Sequence, residues 1–376
     1  MSAIESIIFY NIVFGIILFF LKRGERNKNL EYVGVFILIL LSVLRFDIGA
    51  DYENYYLMIN RIAKYIDTYD LNLKELILFD EFHVEISFYF IIWLFHKLDN
   101  TFVYVFAIYS LITIYFWYKT FKKNNSLFWG IFAIITLSIL FNSYNGIRQA
   151  VSYAIFLYSL QFLDSENRNI KKYVLYIILA IIFHTSAIFL LAIIPIVNIK
   201  PRIKLYVSII IILTIGAYLN IWNGLINFIF LNSFFYQGFI DNANQSSASI
   251  GKGIMFPIYV FFYTYCMCLV KEKRIYTNVL FLGIILFCIS TGNNNINRVA
   301  MYFLNVIALI LPLYVKAEKN KFKLVTTIFM FVFLFQLLLF RNDNRNLCIP
   351  YDYVGSENFD KERLRIRNYK EYKEYD

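Results

Sequence analysis

The residues able to do chemistry in this chain are few, and they gather at the ends of long apolar runs. The stretch LRFDIGADYENYY, 44–56, sets Arg45, Asp47, Asp51, Tyr52 and Tyr55 directly after an apolar segment, with Gly49 placed to allow a tight turn. Arg45 and Asp51 could form a structural ion pair, or a base beside a phosphate ligand; an Arg at a segment end also serves by snorkelling to headgroups. The stretch FNSYNGIRQAVSY, 141–153, sets Arg148 and Gln149 at the head of another apolar run. A helix starting near Gly146 would offer free N–H groups and the positive end of its dipole there, and an Arg beside them favours a phosphate. His184 lies inside apolar sequence in IIFHTSAIF, 181–189. An ionisable residue at membrane depth is a functional candidate, or a core His bonded to Thr185, Ser186 or a carbonyl. The stretch STGNNNINRVAMYF, 290–303, carries Asn295 among four Asn, then Arg298. Asn amides both donate and accept, which suits sugar hydroxyls, although an Asn-rich stretch also makes a plain loop. Glu85 opens FHVEISFYF and could cap a helix or act as a general base.

The elements that hold these residues must be membrane helices. Of 376 residues, 60% are hydrophobic and 16% charged, which is too little polar surface to cover a soluble core of this size. A soluble enzyme, a nucleic-acid module and a disordered chain are excluded. The net charge of +10 sits mostly in short loops, and many of the 31 Tyr lie near segment ends, as membrane orientation and interface signals do. Cys266, Cys268, Cys288 and Cys348 lack metal-type spacing, and His83, His96 and His184 are scattered, so no metal site is expected. No Gly-rich phosphate loop is visible, and no cofactor is expected. The N-terminus lacks a basic n-region and a small-residue cleavage site, and reads as an uncleaved first span.

Apolar runs suggest about ten to twelve membrane segments within a polytopic all-α domain, 1–340, followed by a polar tail, 341–376. Six short loops (22–28, 119–123, 168–172, 200–204, 271–274 and 316–323) hold 20 of the 36 Lys and Arg. By the positive-inside rule they face the cytoplasm, which puts loops 45–83, 142–147, 223–252 and 291–298 outside. The run 173–197 then has cytoplasmic charge at both ends. Its 25 residues are too few for two crossings, so a broken or re-entrant hairpin turning near His184-Thr185-Ser186 is predicted. The short run 84–98 is either interfacial or re-entrant, or a full span that breaks the charge rule. Parity places the tail outside, and KERLRIRNYKEYKEYD reads as a surface segment or a solvated helix. The outer face thus collects several Arg with carboxylates and Asn. That suits a ligand with an anionic head, sugar hydroxyls and a lipid tail.

These clusters, in this order, resemble the EpsG family of bacterial membrane proteins, related to the Wzy-type polysaccharide polymerases. The resemblance rests on LRFDIGADYENY, the segment opening at Glu85, FNSYNGIRQAV, FHTSAIFLLAIIP and NRVAMYF, and spans about residues 30 to 315. It implies a metal-independent, inverting glycosyl transfer in a GT-C-like helical architecture. The site would lie on the outer face of the bacterial cytoplasmic membrane. A growing glycan on polyprenyl pyrophosphate would pass to an incoming lipid-linked unit of exopolysaccharide, capsule or O-antigen. A flippase and a chain-length regulator are the implied protein partners, membrane lipid the surroundings, and nucleic acid is not expected. Arg45, Arg148 and Arg298 would stabilise the leaving pyrophosphate, with Tyr52, Gln149 and Asn295 beside them. Asp51, Glu85 and His184 are the candidate bases. Asp51 is preferred as nearest in sequence to an Arg, while His has the more suitable ordinary pKa. The competing readings are a transporter or flippase of lipid-linked sugars, and an O-antigen ligase-like transferase.

Overall fold

A computed structural model describes residues 2–163, 168–222, 255–290, 293–341 and 348–360. The expected outer loop 223–252 lies outside the described residues, as do 291–292 and most of the tail. The described chain is helical: α1 (Ala3–Gly24), α2 (Lys28–Val43), α3 (Tyr52–Tyr69), α4 (Leu73–Phe79), α5 (Ile86–Phe95), α6 (Thr101–Lys123), α7 (Leu127–Thr136), α8 (Ile139–Asn145) and α9 (Ile147–Ser159). Then come α10 (Ile170–Phe183), α11 (Ile193–Ile196), α12 (Ile203–Tyr218), α13 (Met255–Leu269), α14 (Arg274–Ile289), α15 (Asn294–Leu304), α16 (Ile307–Ala317), α17 (Lys321–Arg341) and α18 (Glu357–Asp360).

Four helical stretches are long and apolar enough to cross a membrane: α1, α6, residues 295–317 and α17. The pair α7 and α8, bent by 61°, makes a fifth. The protein is therefore a polytopic helical membrane protein. The remaining apolar helices have 10–17 residues, less than the roughly 20 a straight crossing needs. Full crossings supported by length and composition thus number four or five among the described residues. The wider expectation of ten to twelve segments included these shorter runs.

The chain divides into two compact units. The first comprises Met1–Tyr158, Ile178–Thr185 and Lys319–Asp376. In it, α1 and α2 pack as a hairpin so close that a Cβ on Gly24 would lie 2.6 Å from the Glu31 Cα. Glu31 is buried there and paired with Lys122 at 2.5 Å, while Tyr118 donates to it at 3.0 Å. The expected outer loop 45–83 is mostly helix. Along α3 the buried positions Tyr52, Tyr55, Ile59, Ile62, Ala63 and Ile66 recur at helical spacing, so one face is apolar although the helix as a whole is not. The expected loop 142–147 is similarly absorbed into α8 and the start of α9. Part of the tail packs too. The Phe46 N–H donates to the Asp352 carbonyl at 3.0 Å, and the Val354 N–H to the Leu44 carbonyl at 2.8 Å.

The second unit comprises Ser159–Ile177 and Ser186–Glu318. Its polar node is Asn278 on α14, whose amide donates to the Ile196 and Ile199 carbonyls at 2.9 and 2.8 Å and accepts from the Tyr206 hydroxyl at 2.9 Å. Tyr206 also stacks on Phe281, centroids 3.8 Å apart. Within this unit the Tyr173 hydroxyl donates to the Leu190 carbonyl at 2.7 Å, and Arg168 donates to Asn198 at 2.7 Å. The two legs of 168–198 therefore lie side by side. Helix α10 ends at Phe183, and the chain tightens to a 3-10 helix over Thr185–Ala192. The chain folds back on itself near His184, where the sequence placed a polar turn.

Candidate active site

Glu85 is set by the loop in front of it. That loop turns through left-handed backbone at Asp80 and His83, with φ of 40° and 48°. The Tyr89 hydroxyl ties it to α5, donating to Asp80 at 3.0 Å and accepting from the Phe82 N–H at 3.1 Å. Glu85 occupies the N-cap position of α5, and its carbonyl accepts from the Phe88 N–H at 2.8 Å. Its carboxylate makes no cap bond. It turns instead to two other helices, where Arg148 Nη1 donates to one oxygen and His184 Nδ1 lies 2.5 Å from the other. The Thr185 N–H also donates to it, at 3.4 Å. The carboxylate side chain is 7% exposed, against 19% for both Arg148 and His184.

The register of α9 and α10 explains why these groups meet. Arg148 is in the first turn of α9, which starts directly after Gly146 as the sequence suggests. Ser152, four residues on and so on the same face, donates to the Ala180 carbonyl at 2.8 Å. Ala180 precedes His184 by four residues and accepts its N–H at 2.9 Å. One helical turn therefore separates anchor from functional residue on both helices. Helix α6 supplies the floor. The Tyr109 hydroxyl meets Ser87 at 3.2 Å, and its ring packs edge-on against Phe183. The Arg148 guanidinium lies over the Phe88 and Tyr55 rings, 5.2 and 5.6 Å from their centroids.

The electrostatics follow from these contacts. Burial pushes the Glu85 carboxyl up, but the His184 hydrogen bond and the Arg148 charge outweigh it and bring the group down to about 2. A carboxylate held that low is a weak proton acceptor. It is well suited to orient a His. With Nδ1 committed to Glu85, Nε2 of a neutral His184 is the acceptor nitrogen. Arg148 also hydrogen-bonds Tyr55, and its Nε is buried without a partner.

The other sequence candidates are placed differently. Asp51 is the partly exposed N-cap of α3, and its side chain makes no cap bond. Arg45 is 1% exposed. It donates to the Ser42 carbonyl and to the Ser110 hydroxyl at 2.7 Å, with the Tyr144 ring 4.4 Å away. The side chain is enclosed by these partners rather than exposed at the surface. Its Nε and Nη2 are buried without partners, and its neighbours Ser42, Ser110 and Tyr144 line a cavity of about 10 Å³ that has room for one water. Tyr52 is likewise core: 1% exposed and stacked on Phe106 at 4.5 Å. Gln149 is partly exposed in the first turn of α9. Asn295 and Arg298 stand on α15 of the second unit, the former partly and the latter well exposed, and the Asn295 N–H is capped by Asn293 at 3.0 Å. Sequence reasoning noted Tyr55 but not its place against Arg148, and it missed Phe88, Ser152 and the Thr185 N–H. Of these, only Ser152 carried a signal, its i+4 spacing from Arg148. Among the described residues no group of three His, Cys, Asp or Glu could hold a metal.

Apolar helices around a buried Arg–Glu–His cluster define a polytopic membrane protein with a polar site in the first unit. The EpsG family model matches residues 28–353, and the chain belongs to the EpsG family. That membership points to exopolysaccharide-related polymerisation or glycosyl transfer. Searches of curated proteins and of solved structures gave no match.

Proposed function

We propose that this protein polymerises lipid-linked oligosaccharide repeat units at the outer face of the bacterial cytoplasmic membrane. In the reaction, an acceptor hydroxyl on the incoming unit attacks the anomeric carbon of the glycan carried on polyprenyl pyrophosphate. The new glycosidic bond forms as the bond to pyrophosphate breaks, with inversion. The electron pair leaves on the pyrophosphate, and the hydroxyl proton passes to a base. The observation carrying this reading is the convergence of Arg148, Glu85 and His184 from three separated stretches, at the head of one helix and the break of another. His184 Nε2 takes the proton. Glu85 fixes the imidazole and stabilises the cation it becomes. The Arg148 guanidinium, already fixed by Glu85 and the rings beneath it, stabilises the growing phosphate charge without reorganising to do so.

The test is complementation in the host deleted for the gene, with wild type, Arg148→Ala, Glu85→Ala and His184→Ala at matched membrane levels. Glycan length and lipid-linked intermediates are read together. Single repeat units accumulating outside, with no polymer, are expected of the variants. Intermediates trapped on the cytoplasmic side would overturn the reading in favour of a flippase.

A further inference from the structure

Residues 44–56 bring Arg, Asp and Tyr together, and within the first unit their contacts converge on residues 144–148. Three of these contacts follow one another along the chain. The Arg45 guanidinium lies against the Tyr144 ring, whose hydroxyl meets that of Ser42 at 3.0 Å. The Ala50 N–H donates to Asn145 Oδ1 at 2.5 Å. The Tyr55 hydroxyl accepts a hydrogen bond from the Arg148 guanidinium, which also lies over the Tyr55 ring.

The chain between these contacts has little slack. Gly49, at φ 113°, brings the loop so close to the end of α8 that a Cβ there would lie 2.9 Å from both Asn145 Oδ1 and the Tyr144 carbonyl oxygen. Any larger residue would meet a strained backbone and a clash together. The Gly49 carbonyl then accepts from the Tyr52 N–H at 3.2 Å, and α3 starts at once. Tyr52 stacks on Phe106 of α6, and Tyr55 meets the same ring edge-on at 6.4 Å. That fixes the roll of α3 about its axis. Tyr55, 8% exposed, is thereby presented to Arg148 from the first turn of the helix.

A planar guanidinium bonded to one partner can still turn about that bond, and a second partner fixes its plane. Glu85 is the first partner of Arg148 and Tyr55 the second. Asn145, three residues earlier, ties down the chain that leads into α9.

We infer that Tyr55 and Asn145 are positioning residues for Arg148: the Tyr55 hydroxyl fixes the plane of the guanidinium, and the contact of Asn145 with the Gly49-Ala50 turn fixes where α9 begins. Their effect on polymer formation rests on the reading above. Their hold on Arg148 stands independently of it.

The test uses the full-length protein in nanodiscs and phenylglyoxal, which modifies accessible guanidinium groups, with each Arg read by mass spectrometry. Arg148, 19% exposed, should react slowly in wild type and severalfold faster in Tyr55→Phe, which keeps the ring and removes the hydroxyl. Asn145→Ala should act in the same direction and serves as the second variant if the first does not fold. The exposed Arg23 should react equally in all of them, and the buried Arg45 should stay protected. Arg45 reacting together with Arg148 would mean general loosening and would overturn the inference. So would unchanged Arg148 reactivity in both folded variants. In the host deleted for the gene, Tyr55→Phe should lower polymer about tenfold, less than the roughly 10²-fold that misplacing a group by an ångström can cost. The two readings fail separately. Faster Arg148 labelling with normal polymer supports the positioning and sinks the role of Arg148 in polymerisation. Polymer loss with unchanged Arg148 labelling does the reverse.

Discussion

Glu85 shows how position alone changes what a residue is for. It sits where a carboxylate normally caps a helix, yet Arg148 and His184 draw its side chain away from the α5 backbone. Removing one partner of such a pair leaves a charge in poor solvent, so Arg148→Ala should cost about 3 kcal/mol of stability, read by thermal unfolding in detergent. Arg148→Lys keeps the charge but loses the planar fork. It should fold nearly as well as wild type while polymer formation falls about 10²-fold, as when one directed transition-state donor is lost. The pair also sets a pH dependence. Glu85 is held at about 2 against an ordinary 4.5. A carboxyl lowered on folding adds stability that is complete above its free value and lost as pH falls through its folded one. The Tm difference between wild type and Glu85→Gln should therefore narrow as pH falls from about 4.5 to 2. A gap that failed to narrow over that range would show that Glu85 is not an ionised, low-pKa carboxylate in the native protein.

At the scale of elements, the hairpin 168–198 was legible and the site it serves was only half so. Charge at both ends of a run too short for two crossings required a return, and His184-Thr185-Ser186 marked its polar middle. The leg-to-leg bonds follow from that. Tyr173→Phe removes the hydroxyl that satisfies the Leu190 carbonyl inside apolar surroundings. It should cost about 1–3 kcal/mol, seen as a lower Tm with the ratio of kcat to KM for polymerisation little changed in the surviving folded protein. What the sequence could not show was that residues 85, 148 and 184 meet, because no local pattern links stretches 36 to 99 residues apart. Nor did hydropathy reveal α3, whose apolar face is diluted by its polar one. The bend between α7 and α8 was equally silent, since it occurs at Leu137-Ser138, with Ser138 at φ 55°, and no proline marks it.

At the scale of the whole chain, contacts within the first unit bear on which stretches share a side of the membrane. Glu31, near the start of α2, pairs with Lys122, near the end of α6. Two of the basic loops are thereby brought to one end. Ser42 and Ser110, further along the same two helices, both bond Arg45. At 1.5 Å per residue, these lie about 16 to 18 Å along the helices from the ion pair, a little over half of a bilayer core of about 30 Å. The strand-like pairing of 352–354 with 44–46 then puts the described part of the tail at the end away from the basic loops, where parity places it. If that end faces outside, Asn358→Cys, at an exposed position, should react with a membrane-impermeant maleimide in intact cells. Glu25→Cys, exposed in the first basic loop, should react only after permeabilisation. Cys266, Cys288 and Cys348 are buried and only Cys268 is partly accessible, so Cys268→Ser provides a quiet background. The reverse labelling pattern would place Arg148, Glu85 and His184 within reach of cytoplasmic substrates and remove the topological ground for polymerisation outside the cell.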